Sequence, residues 1–204
     1  MAITYPLTLP SHTGIAQIEL RAVNSVVYSQ SPFTFQGQAH SYNGDMWQAD
    51  VSLPPMKRAD AEQWIAFLIS LRGQYGRFYL GDPSATAPRG TANTNSDVGT
   101  AVGSKGDRTI SVVITSGKTL LAGDYIQIGT GSTRSLHKVL VDVTGTGSAQ
   151  DIEIWPAMRL TPLGSAPVNV LNTTGIFRLA SNQQSWSVNE ASIYGITFGA
   201  FEAI

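Results

Sequence analysis

Cysteine is absent from the chain, which rules out disulfide frameworks, thiolate nucleophiles and cysteine metal sites and leaves the redox compartment unmarked. Charge is scarce too. Asp, Glu, Lys and Arg make up 13% of the residues, against about 25% in ordinary globular domains. Two readings of that scarcity stay open: a surface meant for burial against neighbours, or a β-rich chain that carries Ser, Thr, Asn and Gly where others carry Lys and Glu. The few charges balance, with 13 basic and 14 acidic residues and a net charge of -1. No basic excess exists to neutralise phosphates, so direct nucleic-acid recognition is not expected. Nowhere do 18 apolar residues run together, so no membrane insertion by a helix is expected. Met1–Pro10 lacks a cationic start and an unbroken apolar run, and is not read as a signal peptide. What remains is a chain of 204 residues with 42% hydrophobic content, enough for one large β domain or two small ones.

The pattern reads as strands, one helix, then more strands. Across residues 16–27, Ile18, Leu20 and Ala22 face one way and Glu19 and Arg21 the other, the period of a half-buried strand. Phe33 and Phe35 repeat it briefly, and Asn43-Gly44 gives a hairpin signal. Trp47, Ala49, Val51 and Leu53 then alternate cleanly with Gln48, Asp50 and Ser52. Pro54-Pro55 stops that strand, because proline cannot donate to a ladder. A helix is expected over roughly residues 57–72, with Ala61, Trp64, Ile65, Leu68 and Leu71 along one face. Gly73 stands where a left-handed C′ residue is wanted, and Arg72 suits the C-terminal end of the dipole. Phe67 and Ile69 widen the apolar surface, which leaves two roles open: a fully buried core helix, or one that also meets a neighbouring subunit.

A short strand, Gly76–Leu80, ends at Gly81-Asp82-Pro83. From Ser84 to about Gly106, Gly, Thr, Ala, Asn and Ser dominate, and the stretch reads as a long loop or linker that could order on assembly. Thr109–Ile114, Tyr125–Ile128, Ser135–Asp142 and Ile152–Trp155 then form a block of short strands between turn signals, with Pro156, Pro162 and Pro167 near its end and Val168–Leu171 closing it. Ile176–Leu179, a strand with Trp186 and Val188 facing inward, and the alternating Tyr194, Ile196 and Phe198 pair with the N-terminal strands. The expected fold is therefore mainly β. A β-sandwich with one packed α-helix, from residues 1–83 plus 173–204, is interrupted by an inserted small β-barrel or sandwich domain at 84–172.

Chemistry is sparse. His12, His40 and His137 have no partners at metal-ligand spacing and read as surface or hydrogen-bonded core histidines. Asp60 and Glu62 suit a helix N-terminus. Asp151 and Glu153 share a strand face, with Asp142 nearby, but no second cluster accompanies them. No G-x-S-x-G elbow occurs, and the Gly-rich run at 99–106 misses the phosphate-loop spacing. No catalytic, metal or cofactor residue is expected. The aromatics Tyr75, Phe78, Tyr79, Tyr125 and Trp155 have two readings, core filling or, for an exposed ring, stacking on a sugar or partner.

Three stretches carry a resemblance. The first runs from Trp47 through Leu53-Pro54-Pro55-Met56-Lys57-Arg58 to Trp64, Phe67, Leu68 and Leu71-Arg72-Gly73, continuing at Phe78-Tyr79-Leu80-Gly81-Asp82-Pro83. The second runs from Leu121-Ala122-Gly123-Asp124-Tyr125 to Ile154-Trp155-Pro156-Ala157-Met158-Arg159, and the third joins Phe177-Arg178-Leu179-Ala180 to Trp186 and Tyr194-Gly195-Ile196. Together they resemble tail-tip proteins of long-tailed bacteriophages and prophages, similar to distal tail proteins. The resemblance covers nearly the whole chain and is weakest over Ser84–Gly106. It implies a non-enzymatic virion protein at the distal end of the tail, assembled in the host cytoplasm. Such proteins form a homo-oligomeric ring, usually a hexamer, between the tail-tube protein and the hub or baseplate protein, near the tail fibres. Two alternatives accompany it: a host-surface glycan-binding module with Trp155 and Tyr125 as the stacking residues, or a tail-tube or tail-terminator subunit.

Overall fold

The structure, a computed structural model, describes residues 3–11, 14–42, 44–161 and 165–204. His12, Asn43 and Pro162, singled out above, lie outside them. The chain first forms β1 (Gln17–Val23), β2 (Val26–Gln30), β3 (Gly37–Ser41), β4 (Met46–Ser52) and β5 (Met56–Lys57), then the helix α1 (Arg58–Ser70) and β6 (Phe78–Leu80). Next come β7 (Val98–Val102), β8 (Thr109–Ile114), β9 (Thr119–Leu120), β10 (Tyr125–Ile128), β11 (Ser135–Val139), β12 (Val143–Thr144), β13 (Ala149–Trp155) and β14 (Ala166–Asn169). The chain finishes with β15 (Gly175–Leu179), β16 (Trp186–Val188) and β17 (Ile193–Glu202). The fold is mainly β, a β-sandwich with one packed helix and a small closed barrel.

The main sheet runs β1-β4-β17-β15-β6. Its spine is β17, whose C-terminal half lies between β4 and β15 while its first residues lie between β5 and β16. The alternation in β4 sends Trp47, Ala49 and Val51 into the core, opposite Phe198 and Ala200 of β17. Helix α1 buries the face that its spacing marks: Ala61, Trp64, Ile65 and Leu68, with Leu71 just past its end. Trp64 meets Phe67 edge-on at 5.9 Å, and Phe67 meets Phe78 of β6 at 5.7 Å. Each such buried side chain contributes roughly 1.5–3 kcal/mol. Ile69 faces solvent, which narrows the apolar stripe.

The strands β7, β8, β10, β11, β13 and β14 close a barrel in the order β10-β11-β13-β8-β7-β14. Its own core includes Ile110, Val112, Ile126, Val139, Ile154 and Val168. Tyr125 and Leu136 instead face outward and complete the core of the sheet and helix.

Four expectations are corrected. Residues 84–106 are not one long linker: β7 occupies Val98–Val102 and pairs with both β8 and β14. The stretch before it is tied down, with Asp124 accepting the N–H groups of Arg89 and Gly90 and Asn95 accepting those of Val170 and Leu171. A register shift between Val98 and Ala101 breaks the alternation that would have revealed this strand. Trp186 and Val188 are exposed rather than inward, because β16 lies off the main path of the sheet. Phe33 and Phe35 form no strand, and stand at an exposed turn. The strands on either side of Asn43-Gly44 do not pair with each other, since β3 pairs with β2 and β4 with β1 and β17.

Candidate functional site

Sequence candidates Tyr125 and Trp155 are brought together, but around a core residue. Trp47 lies 6.0 Å from Tyr125 and 4.5 Å from Trp155, the latter ring perpendicular to it. Tyr125 is 8% exposed, and the Lys138 ammonium sits 4.4 Å from its ring centre. Burial first, and the Asp82 charge second, push its phenol up to about 12, so it is neutral at physiological pH. Half-buried Trp155 donates its indole N–H to Asn24 Oδ1 at 2.7 Å. Both rings thus take part in the packing that joins the barrel to the sheet.

The same junction holds buried ions. Arg159, just beyond β13, grips Glu202 of β17 with two hydrogen bonds of 2.9 and 2.5 Å and also donates to the backbone oxygen of Asp45. Glu202 in turn accepts the N–H of Trp47 at 3.1 Å. Arg108, at the start of β8, reaches buried Asp45 at 2.9 Å as an ion pair without hydrogen-bond alignment. Trp47 completes the seam by donating its indole N–H to the Leu136 carbonyl at 3.0 Å.

The remaining chemical candidates are dispersed. Asp151 and Glu153 are exposed on β13, and Asp142 accepts the N–H of Ala122. Among the described residues no group of three or more His, Asp or Glu is placed to hold a metal ion. His137 is fully buried, with its Nδ1–H donated to the Pro156 carbonyl and its Nε2 accepting from the Ser135 hydroxyl, both at 2.8 Å. The carbonyl can only accept, which fixes the tautomer. A cleft of about 530 Å³ opens beside β1, lined by Ile15, Ile18, Asp82, Ser84 and Tyr125 among others. Its one carboxylate, Asp82, already accepts the backbone N–H and the hydroxyl of Ser84 at 2.9 and 2.6 Å. His40 is exposed against Tyr42, 4.7 Å between ring centres. Among the described residues no helix is long and apolar enough to cross a membrane.

A cluster of exposed apolar side chains lies elsewhere. The ladder β1–β4 pairs Val23 with Met46, and beyond it Tyr42 donates its N–H to the Ser25 carbonyl at 2.8 Å and β2–β3 follows, with Val26 opposite Ser41. The two pairs of strands thus form one long ribbon whose distal part leaves the sheet as an arm. Every residue of β2 and β3 is exposed. The arm carries Val26, Val27 and Tyr28 (62% exposed), and its tip carries Phe33 (91%) and Phe35 (75%). Phe35 is left-handed, at φ 56°, and Tyr28 crosses over Gly37, where a Cβ would collide with the ring. No Asp, Glu, Lys or Arg lies between Arg21 and Asp45. That gap in charge was the sequence signal for the arm, diluted in the low charge of the whole chain.

No family model matches the chain, and no curated protein matches it.

Proposed function

We propose that the protein is a structural subunit of the tail tip of a long-tailed bacteriophage, a ring-forming adaptor between tail tube and hub. The single observation that carries self-assembly is the arm: a two-stranded ribbon with aromatic and β-branched side chains in water. An isolated hairpin is marginal by itself, and an apolar ribbon left wet is costly and prone to aggregate. Both costs vanish when another surface covers it. The resemblance in the Trp47–Gly73, Leu121–Arg159 and Phe177–Ile196 stretches supports the placement in a tail tip. The function so read is geometric: the sheet and helix give a rigid body, the arm joins copies, and the barrel is carried outside.

Electron microscopy of the purified full chain, with antibody labelling of phage particles from the source host, tests the proposal. The expected result is a ring of copies alone and label at the distal end of the tail. A monodisperse monomer, with no label on any tail, overturns it. A monomer that binds host cells replaces it with the glycan-binding reading.

A further inference from the structure

A strand edge exposes unpaired N–H and C=O groups, and proteins guard such edges with charge, with brevity or with a cover. The barrel is closed and has no edge. In the main sheet, β6 is covered by the segment around Leu7, which accepts from Tyr79 and donates to Arg77 at 2.9 and 2.8 Å. The outer edge of β1 carries Glu19 and Arg21, which pair with each other, and Arg21 also reaches Asp50. On β9, the N–H of Ala92 takes the Thr119 carbonyl.

Two of the edges left without a strand partner carry exposed apolar side chains and no charged residue. One is the arm. The other is β16, which pairs only with β17 and shows Trp186 (40% exposed) and Val188 (52%) to solvent. No Asp, Glu, Lys or Arg lies between Arg178 and Glu190, just as none lies between Arg21 and Asp45. The two surfaces match in character: both uncharged, apolar and short of strand partners. They are also different surfaces on one chain.

We infer that the β2 edge of the arm docks on the open β16 edge of a second copy, continuing that copy's sheet with Trp186 as the apolar anchor. Backbone hydrogen bonds supply the register and the side chains of Val27, Tyr28, Trp186 and Val188 exclude water. Because arm and receiving edge are distinct, the contact is head-to-tail, and repetition closes a ring when the rotation permits. The inference rests on the self-assembly reading above and names the surfaces it uses.

The test uses the full chain with Val27→Glu in the arm or Val188→Glu on β16, both at solvent-facing positions. Circular dichroism and melting temperature check that each variant folds like the wild type. By analytical ultracentrifugation the wild type is expected to be oligomeric. Each variant alone is expected to associate at least about tenfold more weakly, the effect of losing an interface hot spot. An equimolar mixture of the two is expected to form dimers and nothing larger, since each pair then holds one intact arm and one intact edge. The cysteine-free background allows a second readout: Ser29→Cys and Ser187→Cys proteins cross-link through a short thiol reagent when mixed, and not separately. If both variants keep the wild-type oligomer, or the mixture gives neither dimer nor cross-link, these surfaces are wrong while ring assembly stands. If the wild type is a monomer at every concentration, both the inference and the ring reading fall.

Discussion

At His137 the barrel buries a base that would titrate near 6.5 in water. Burial, reinforced by the charge of Arg159 and opposed by the bond to Pro156, lowers its pKa to about 4. The imidazole is therefore neutral in the folded protein over the range in which an unfolded chain takes up a proton. Above about pH 6.5 both states are neutral and His137 adds no pH dependence. As pH falls below that, the unfolded state binds the proton first and stability drops, until the folded state also protonates near pH 4. The gap corresponds to about 3 kcal/mol. Urea midpoints measured between pH 7 and pH 4 are expected to fall with a one-proton slope that His137→Gln removes. In the sequence, His137 could be read only as surface or hydrogen-bonded core, because its partners Ser135 and Pro156 are fixed by barrel closure rather than by any motif. Tyr125 and Trp155 show the same limit. Their type suggested stacking, and the packing of Trp47, 78 or more positions away in the chain, decided what they stack on.

Elements with a strong internal period were legible, and those defined by a neighbour were not. Helix α1 and strand β4 carry their own signal, a repeating apolar face. β7 does not, because its bulge hides the alternation, and the outward face of β16 depends on what lies beyond β17. Even α1 ends with a twist that the sequence left out. Gly73 is left-handed as its position suggested, at φ 66°, but Arg72 before it is left-handed too, at φ 52°. An L-residue pays about 1 kcal/mol for that conformation and glycine does not. Arg72→Gly is expected to raise the melting temperature by a few degrees. Gly73→Ala is expected to lower it, because its Cβ would come within 2.9 Å of the Asn182 Cα. Differential scanning calorimetry of the two variants checks the pair, and equal shifts of the same sign would contradict the account.

At the scale of the molecule, the sheet and the barrel have separate cores, so their mutual orientation is set by the seam between them. The bidentate Arg159–Glu202 pair is its buried centre, with side chains 11% and 3% exposed. Two buried ions of opposite sign contribute little net stability, but removing one strands the other. Arg159→Met is expected to cost about 3–5 kcal/mol in chemical unfolding. Arg159→Met combined with Glu202→Gln is expected to recover part of it, giving a clear coupling in a double-mutant cycle. Additive losses would mean that the seam is held by its aromatic residues instead. No motif or spacing marks this pair, whose members lie 43 positions apart.

The route of the chain between these two bodies has a consequence of its own. It leaves the sheet at Leu80 and returns at Gly175, and these two residues are direct partners across β6 and β15. Exit and entry share one doorway. Loops of the barrel away from the seam can change in length with the β6–β15 register kept, because a loop's closure cost rises only slowly with its length. The barrel is in that sense a cassette held at its base: what it displays far from Tyr125, Leu136 and Arg159 is free to diversify while the framework that carries it stays the same.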